Sequence, residues 1–205
     1  MPARTPREDH EQGPRLVLAS ASPRRADLLR TAGIEFEAIS ADIDEAIAPG
    51  ELAEEYVRRV ARQKVEAVSL VAPGRPILGA DTIVVVGATV LGKPVDNADA
   101  RRMLGLLSGR THTAMTAVCL ANPAEGAGHV HSRLARTDVE FARLSEREIA
   151  WYVASGESAD KAGGYAVQGL ASRFVTRIDG SYSNVVGLPV ALVYNLCRNA
   201  GILIP

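Results

Sequence analysis

The sequence predicts an α/β fold built on a mixed sheet, and three observations carry that expectation. Strand-like and helix-like segments interleave from residue 15 onward, the pattern of layered α/β proteins. ILGADTIVVV, residues 77–86, is apolar on both faces, as a central strand has to be. Residues 111–121 and 132–142 alternate on either side of the turn-rich NPAEGAGH and read as an antiparallel pair.

The elements follow in order. Residues 1–14, MPARTPREDHEQGP, are polar, lack the apolar centre of a signal peptide, and read as a disordered tail before a single domain over 15–205. RLVLA, residues 15–19, is a short buried strand. Ser22-Pro23 marks a helix start, since serine can cap and proline suits the first helical position. That helix turns Leu28 and Leu29 inward and stops at Gly33, and IEFEAI, residues 34–39, alternates as a second strand. After the acidic loop SADIDEAIAPG a helix runs from about Leu52 to Leu70. The central strand ends in a Gly-Ala-Thr turn followed by LGKP. Asp96 starts a helix to about Leu107, with Gly109 just beyond its end. Ser145 and Glu148 form a capping box for a helix ending near Gly156. DKAGGYAVQG then leads into the strand FVTRI, and a last helix runs from Pro189 to Gly201.

Composition narrows the function classes. With 23 basic and 24 acidic residues among 205, nothing draws the whole chain to nucleic acid or to a membrane surface. Anion binding must therefore be local. The apolar runs are short and interrupted, so no transmembrane helix is expected, and the chain reads as cytoplasmic. Cys119 and Cys197 lie in apolar runs far apart, without C-x-x-C or zinc spacing, and read as buried thiols. His112, His129 and His131 make no metal pair that spacing alone supports.

Several residues invite chemistry. Arg24 and Arg25 put two cations in the first turn of a helix whose free N–H groups already carry positive charge. Such a cluster suits a bound phosphate; the plainer reading leaves Arg25 solvated and pairs Arg24 with a carboxylate such as Asp27. Asp81 interrupts the apolar central strand, where a carboxylate needs a partner, a metal or a proton to move; alternatively it caps a backbone turn. Lys64 falls within the apolar stripe Val57, Val60, Ala61, Val65 and Val68, so it either snorkels to solvent or reaches a buried anion. Lys93 lies in LGKP and Lys161 beside Asp160 in a loop. Around Tyr165 and Gln168, Gly163, Gly164 and Gly169 permit close backbone approach to a ligand, and a glutamine amide can read a base edge. The spacing is neither a Walker loop nor a dinucleotide fingerprint. Together these residues suit a polyphosphate carrying a base.

LASASPRRADLL, GADTIVVV, LGKPVDNADARRMLGLLSG, THTAMT, ESADKAGGYAVQG and GSYSNVVGLP resemble, in order, the signature segments of the Maf family across residues 15–205. The resemblance implies an elongated α/β fold, two lobes around a central cleft, related to the inosine-triphosphate pyrophosphatases. It implies hydrolysis of a nucleoside triphosphate to the monophosphate and pyrophosphate with a divalent cation, Mg²⁺ or Mn²⁺, and a homodimer. By motif, Asp81 corresponds to the proton acceptor, and Arg24, Thr82 and Gln168 to positions linked with substrate choice. Ser20, Arg25, Lys64, Lys93 and Lys161 match polar positions of the cleft, and Glu45, with Asp44, is a candidate metal ligand. The DKAG…Y…QG segment resembles the branch acting on dTTP and UTP, although DKAGGYAVQG replaces the small residues that more often flank the tyrosine. Hydrolysis of a modified purine nucleotide such as 7-methyl-GTP, or nucleotide-responsive regulation of cell division, is the alternative.

Overall fold

The strand expected at residues 77–86 runs Ile77–Val86 (β3) and is the hub of the sheet. A computed structural model describes residues 16–126 and 128–202, so the expected N-terminal tail lies outside the described residues. The other strands are β1 (Leu16–Ala19), β2 (Phe36–Ile39), β4 (Thr89–Leu91), β5 (Thr111–Ala121), β6 (Val130–Phe141) and β7 (Val175–Asp179). The helices are α1 (Pro23–Thr31), α2 (Ala53–Val71), α3 (Asn97–Leu107), α4 (Glu146–Ala154), α5 (Tyr182–Val186) and α6 (Val190–Asn199).

The sheet order is β2-β1-β3-β5-β6-β7, with β4 also on β3. β1 is parallel to β2 and β3, and the remaining pairs are antiparallel. The parallel pairs require crossovers, which α1 and α2 supply. The antiparallel pair β5–β6 is the expected hairpin, with β6 starting two residues earlier than its alternation suggests.

Hydrophobic periodicity sets where the helices pack. The α2 stripe lies against Val17, Ala19, Ile77, Ile83 and Ala117 on one face of the sheet. On the other face Leu29 of α1 and Val193 and Leu196 of α6 cover Leu18, Leu78, Ala80 and Val118. A third cluster joins α3 and α4 to Val84, Val86, Leu91, Val139 and Phe141. The first part of β3 is thus packed on both faces, Leu78 and Ala80 in one cluster and Ile77 and Ile83 in another, while Val84 and Val86 at its end belong to the third. Cys119 and Cys197 are buried and unpaired.

Three details depart from expectation. Ser22 is the N-cap of α1 by backbone geometry, but its side chain makes no cap hydrogen bond. Its N–H instead donates to Ser20 Oγ at 3.2 Å, so the preceding serine holds this turn. The Gly-Ala-Thr turn gives way to the short strand β4 at Thr89, and α5 is an additional helix of one turn. The Ser145–Glu148 capping box is present as expected, with Ser145 N–H to Glu148 Oε2 at 2.7 Å and Glu148 N–H to Ser145 Oγ at 3.3 Å.

The architecture leaves a place for a site. β1 pairs with β3 only as far as Ala19–Gly79, whereas β4 begins its pairing at Val84. Residues 80–83 of β3 therefore have no strand partner on that side. The ends of parallel strands are where α/β sheets take ligands, and here the C-terminal end of β1 opens onto this stretch.

Candidate active site

The chemistry at this gap begins with a close approach. A Cβ on Gly79 would lie 2.6 Å from the Ala61 carbonyl oxygen and 2.7 Å from Val65 Cγ2, so only glycine lets α2 lie this close to β3. Lys64 is three residues beyond Ala61 on the helix, and Asp81 two beyond Gly79 on the same face of the strand. They consequently meet: Lys64 Nζ lies 2.8 Å from Asp81 Oδ1. Both residues are only 6 % exposed, which makes each the other's compensation for lost hydration. Lys64 reaches a buried anion and does not snorkel.

Glu45 completes a triad. Its Oε1 lies 2.7 Å from Lys64 Nζ, and Lys93 is 3.9 Å from its other oxygen. The loop is held by Tyr56, whose hydroxyl donates to the Glu45 carbonyl at 2.9 Å, and by Arg59, which donates to the Ala46 carbonyl at 2.9 Å. Partial burial pushes the Glu45 carboxyl up, but the hydrogen bond and charge of Lys64, with Lys93 and Arg25 behind them, outweigh it and hold the group below its ordinary value. Asp44 is spent locally, accepting from the Ala46 N–H at 2.9 Å.

On the opposite face of β3, Thr82 meets Arg25. The guanidinium donates to the Gly187 carbonyl at 2.9 Å, to Ser20 Oγ at 3.3 Å and to Thr82 Oγ1 at 3.2 Å. Arg25 is thus buried, not solvated. Burial lowers its pKa, the Asp81 and Glu45 charges oppose that shift, and Arg24 adds to it; the guanidinium keeps its charge throughout. Arg24 does not pair with Asp27, which is taken by Arg30 at 2.7 Å. Its partner is Asp160: Nη1 donates to Oδ1 at 3.3 Å and Nη2 to the backbone carbonyl at 3.0 Å.

Asp160 is a residue that sequence reasoning did not select. Among the described residues it is the sole non-glycine with positive φ, at 60°, a conformation Asp tolerates better than most. Its carboxylate also takes Lys161 Nζ at 2.9 Å. Gly163 fits against β3 because a Cβ there would press on Val84 at 3.0 Å, and its N–H donates to the Gly92 carbonyl at 3.0 Å. The glycine-rich segment is thereby tied to the turn carrying Lys93. Tyr165 is buried and shares a 2.9 Å hydrogen bond with His112 Nε2, while Gln168 remains exposed.

One cleft of about 740 Å³ collects all of the expected residues: Ser20, Arg24, Arg25, Glu45, Lys64, Asp81, Thr82, Lys93, Lys161 and Gln168. The volume suits a small-molecule ligand. Its charged lining comprises five cations and three carboxylates, an excess of positive charge in a chain of net charge −1. Arg24 and Arg25 are therefore compensated within the protein by Asp160, Asp81 and Glu45, and do not simply repel each other. Gly187, whose carbonyl anchors Arg25 and accepts from Thr82 at 3.2 Å, was also not selected from the sequence. It lies in GSYSNVVGLP, where the only signal is the motif itself.

The profile of the family described as Maf-like protein matches residues 15–200. A protein of Anaeromyxobacter dehalogenans named dTTP/UTP pyrophosphatase is 52% identical over 192 residues, covering 94% of this chain and 97% of its own. One of the same name from Myxococcus xanthus is 48% identical over 190 residues, covering 93% and 94%. The structure of the Staphylococcus aureus Ham1 protein is similar in fold alone, with a TM-score of 0.50 and 15% identity over 90% of this chain and 98% of that one.

Proposed function

The chain belongs to the Maf-like family, and from that premise we propose that it is a nucleoside triphosphate pyrophosphatase acting on dTTP and UTP. Water attacks the α-phosphorus, the α–β anhydride bond breaks, and the products are the nucleoside monophosphate and pyrophosphate. The observation that carries this reading is the buried Lys64–Asp81 pair on the floor of a cleft lined by Arg24, Arg25, Lys93 and Lys161.

In this reading a carboxylate oxygen of Asp81 accepts the proton of the attacking water. Lys64 orients that carboxylate through its 2.8 Å contact and balances its charge. Arg24, Lys93 and Lys161 receive the β- and γ-phosphates and offset the charge developing on the pyrophosphate leaving group. Arg25, fixed by Ser20, Thr82 and Gly187, faces the same anion from a rigid position. Gln168, at the exposed end, offers a donor and an acceptor to a pyrimidine edge.

The carboxylates of Glu45 and Asp81 converge on one cationic point, the Lys64 ammonium, and hard oxygen donors of this kind fit Mg²⁺ or Mn²⁺. These two residues would hold the ion, which supplies Lewis-acid stabilisation of phosphate charge when bound.

The test is a panel of dTTP, UTP, the purine triphosphates and 7-methyl-GTP with Mg²⁺ or Mn²⁺, assaying pyrophosphate separately from orthophosphate. Pyrophosphate release fastest from dTTP and UTP is expected. Orthophosphate alone would overturn α–β cleavage, and a preference for 7-methyl-GTP would overturn the pyrimidine assignment.

A further inference from the structure

The turn between β5 and β6 carries three side chains for which the hydrolytic reading has no use. His129 immediately precedes β6 and His131 is its second residue, two positions apart in sequence. Glu125 ends the 3₁₀ turn Pro123–Glu125 and comes alongside them. His131 Nε2 lies 2.7 Å from Glu125 Oε2, and the two imidazole centroids are 4.7 Å apart. One ligand atom from each of the three residues falls within 4.8 Å of the others, and among the described residues no other three His, Cys, Asp or Glu do so.

The frame that presents them is well defined. Register pairs Ala121 with Val130 and Leu120 with His131. Buried Asn122 accepts from the Ala124 N–H at 3.2 Å and donates to the Ala200 carbonyl at 2.7 Å, fixing the turn to the end of α6. The Glu125 N–H donates to the Asn122 carbonyl at 3.0 Å, and the His129 N–H to the Gly126 carbonyl at 3.3 Å. Donors on an ion with metal–ligand distances of about 2.0–2.2 Å stand roughly 3.4 Å apart in a tetrahedral site, so small side-chain rotations suffice to close these three around one.

We propose that Glu125, His129 and His131 form a site for a borderline divalent transition ion of the zinc, nickel and copper class. Imidazole nitrogens select such ions, whereas Mg²⁺ demands oxygen. Three protein ligands leave the remaining positions to water. The site is separate from the cleft: His131 pairs with Leu120, and Leu120 with Leu78, four residues before Thr82 on β3. At about 3.3 Å per residue that is roughly 13 Å along the strand alone. An ion here joins the 3₁₀ turn to β6 and stabilises the fold to the extent that it binds the folded form more tightly than the unfolded chain, without entering hydrolysis.

The experiment titrates full-length, chelator-treated protein with Zn²⁺ alone by calorimetry, beside the double variant His129→Ala/His131→Ala. Any ion taken by the cleft or tail is common to both proteins and cancels. The wild type is expected to bind one further equivalent, to melt at higher temperature with Zn²⁺ than without, and to keep that ion in millimolar Mg²⁺. Glu125→Gln should weaken the site about tenfold. Circular dichroism checks that the variants are folded, and His129→Gln/His131→Gln serves if the alanine pair is not. Equal Zn²⁺ uptake by the folded variant and the wild type, or displacement of the extra ion by Mg²⁺, would overturn the proposal. Mg²⁺-supported pyrophosphate release should be the same in all of these proteins, and its loss in the double variant would overturn the separation from the cleft.

Discussion

Lys64 and Asp81 form a buried ion pair, Nζ to Oδ1 2.8 Å, between a helix and a strand that meet only because Gly79 has no side chain. Removing one member of such a pair leaves an uncompensated charge in a low-dielectric setting. Lys64→Met should therefore destabilise the protein by about 3–5 kcal/mol, measured by urea unfolding. Adding Asp81→Asn to that variant should recover part of the loss.

Asp81→Asn alone has a different expected outcome. Lys64 keeps Glu45 at 2.7 Å, so the ammonium is not stranded and the fold survives. Nucleotide binding should persist while turnover falls about 100-fold or more, the usual scale for losing a general base. Steady-state pyrophosphate release with a parallel binding assay separates the two effects; wild-type turnover would end the role assigned to Asp81.

Arg24→Ala probes the proposed phosphate-binding cluster. Two cations at a helix start, considered alone, suggest that removing one relieves repulsion and raises stability. The contact with Asp160 alters that expectation, because Arg24 already has a carboxylate partner at an accessible site. Stability should change by less than about 1 kcal/mol. KM for the nucleotide should rise markedly, and in the wild type it should climb with ionic strength as screening weakens the cation–phosphate attraction. A thermal melt and KM values at several salt concentrations check both halves.

His112, hydrogen-bonded to the cleft residue Tyr165, confers a pH dependence on stability. Burial lowers its pKa to about 4 from 6.5, so as pH falls the unfolded chain takes up the proton first. The stabilisation is complete above about pH 6.5 and is lost progressively towards pH 4, on the order of 3 kcal/mol in all. His112→Gln should flatten the slope of unfolding free energy between pH 6.5 and 5, a window above the ordinary carboxylate range. An unchanged slope would assign that dependence to other groups.

Where local pattern determined structure, the sequence was readable. The β3 run, the α2 stripe and the Ser145–Glu148 box each depend on neighbours within a few residues, and each formed close to its expected bounds. β4 escaped because three residues after a glycine turn carry no periodicity, and α5 because one turn gives too little pattern to detect. Arg25 is a cleft residue as the motif implies, and the plainer solvated reading fails because its partners Thr82 and Gly187 lie 57 and 162 residues away, beyond what local pattern expresses. Asp160 looked like ordinary loop polarity, and neither its left-handed backbone nor its contact with Arg24 is expressed in nearby residues. The ten expected cleft residues did converge, because β3, α1, α2 and the connecting segments that carry them meet around one sheet gap.

The cleft residues differ in what holds them. Asp81 and Lys64 stand on β3 and α2, among the most deeply packed elements, whereas Glu45, Lys93, Asp160, Lys161 and Gln168 stand on connecting segments. Connecting segments accept substitution and insertion far more readily than packed strands and helices. If Gln168 reads the base as proposed, substitutions at the rim should change the base accepted while leaving the buried Lys64–Asp81 pair in place.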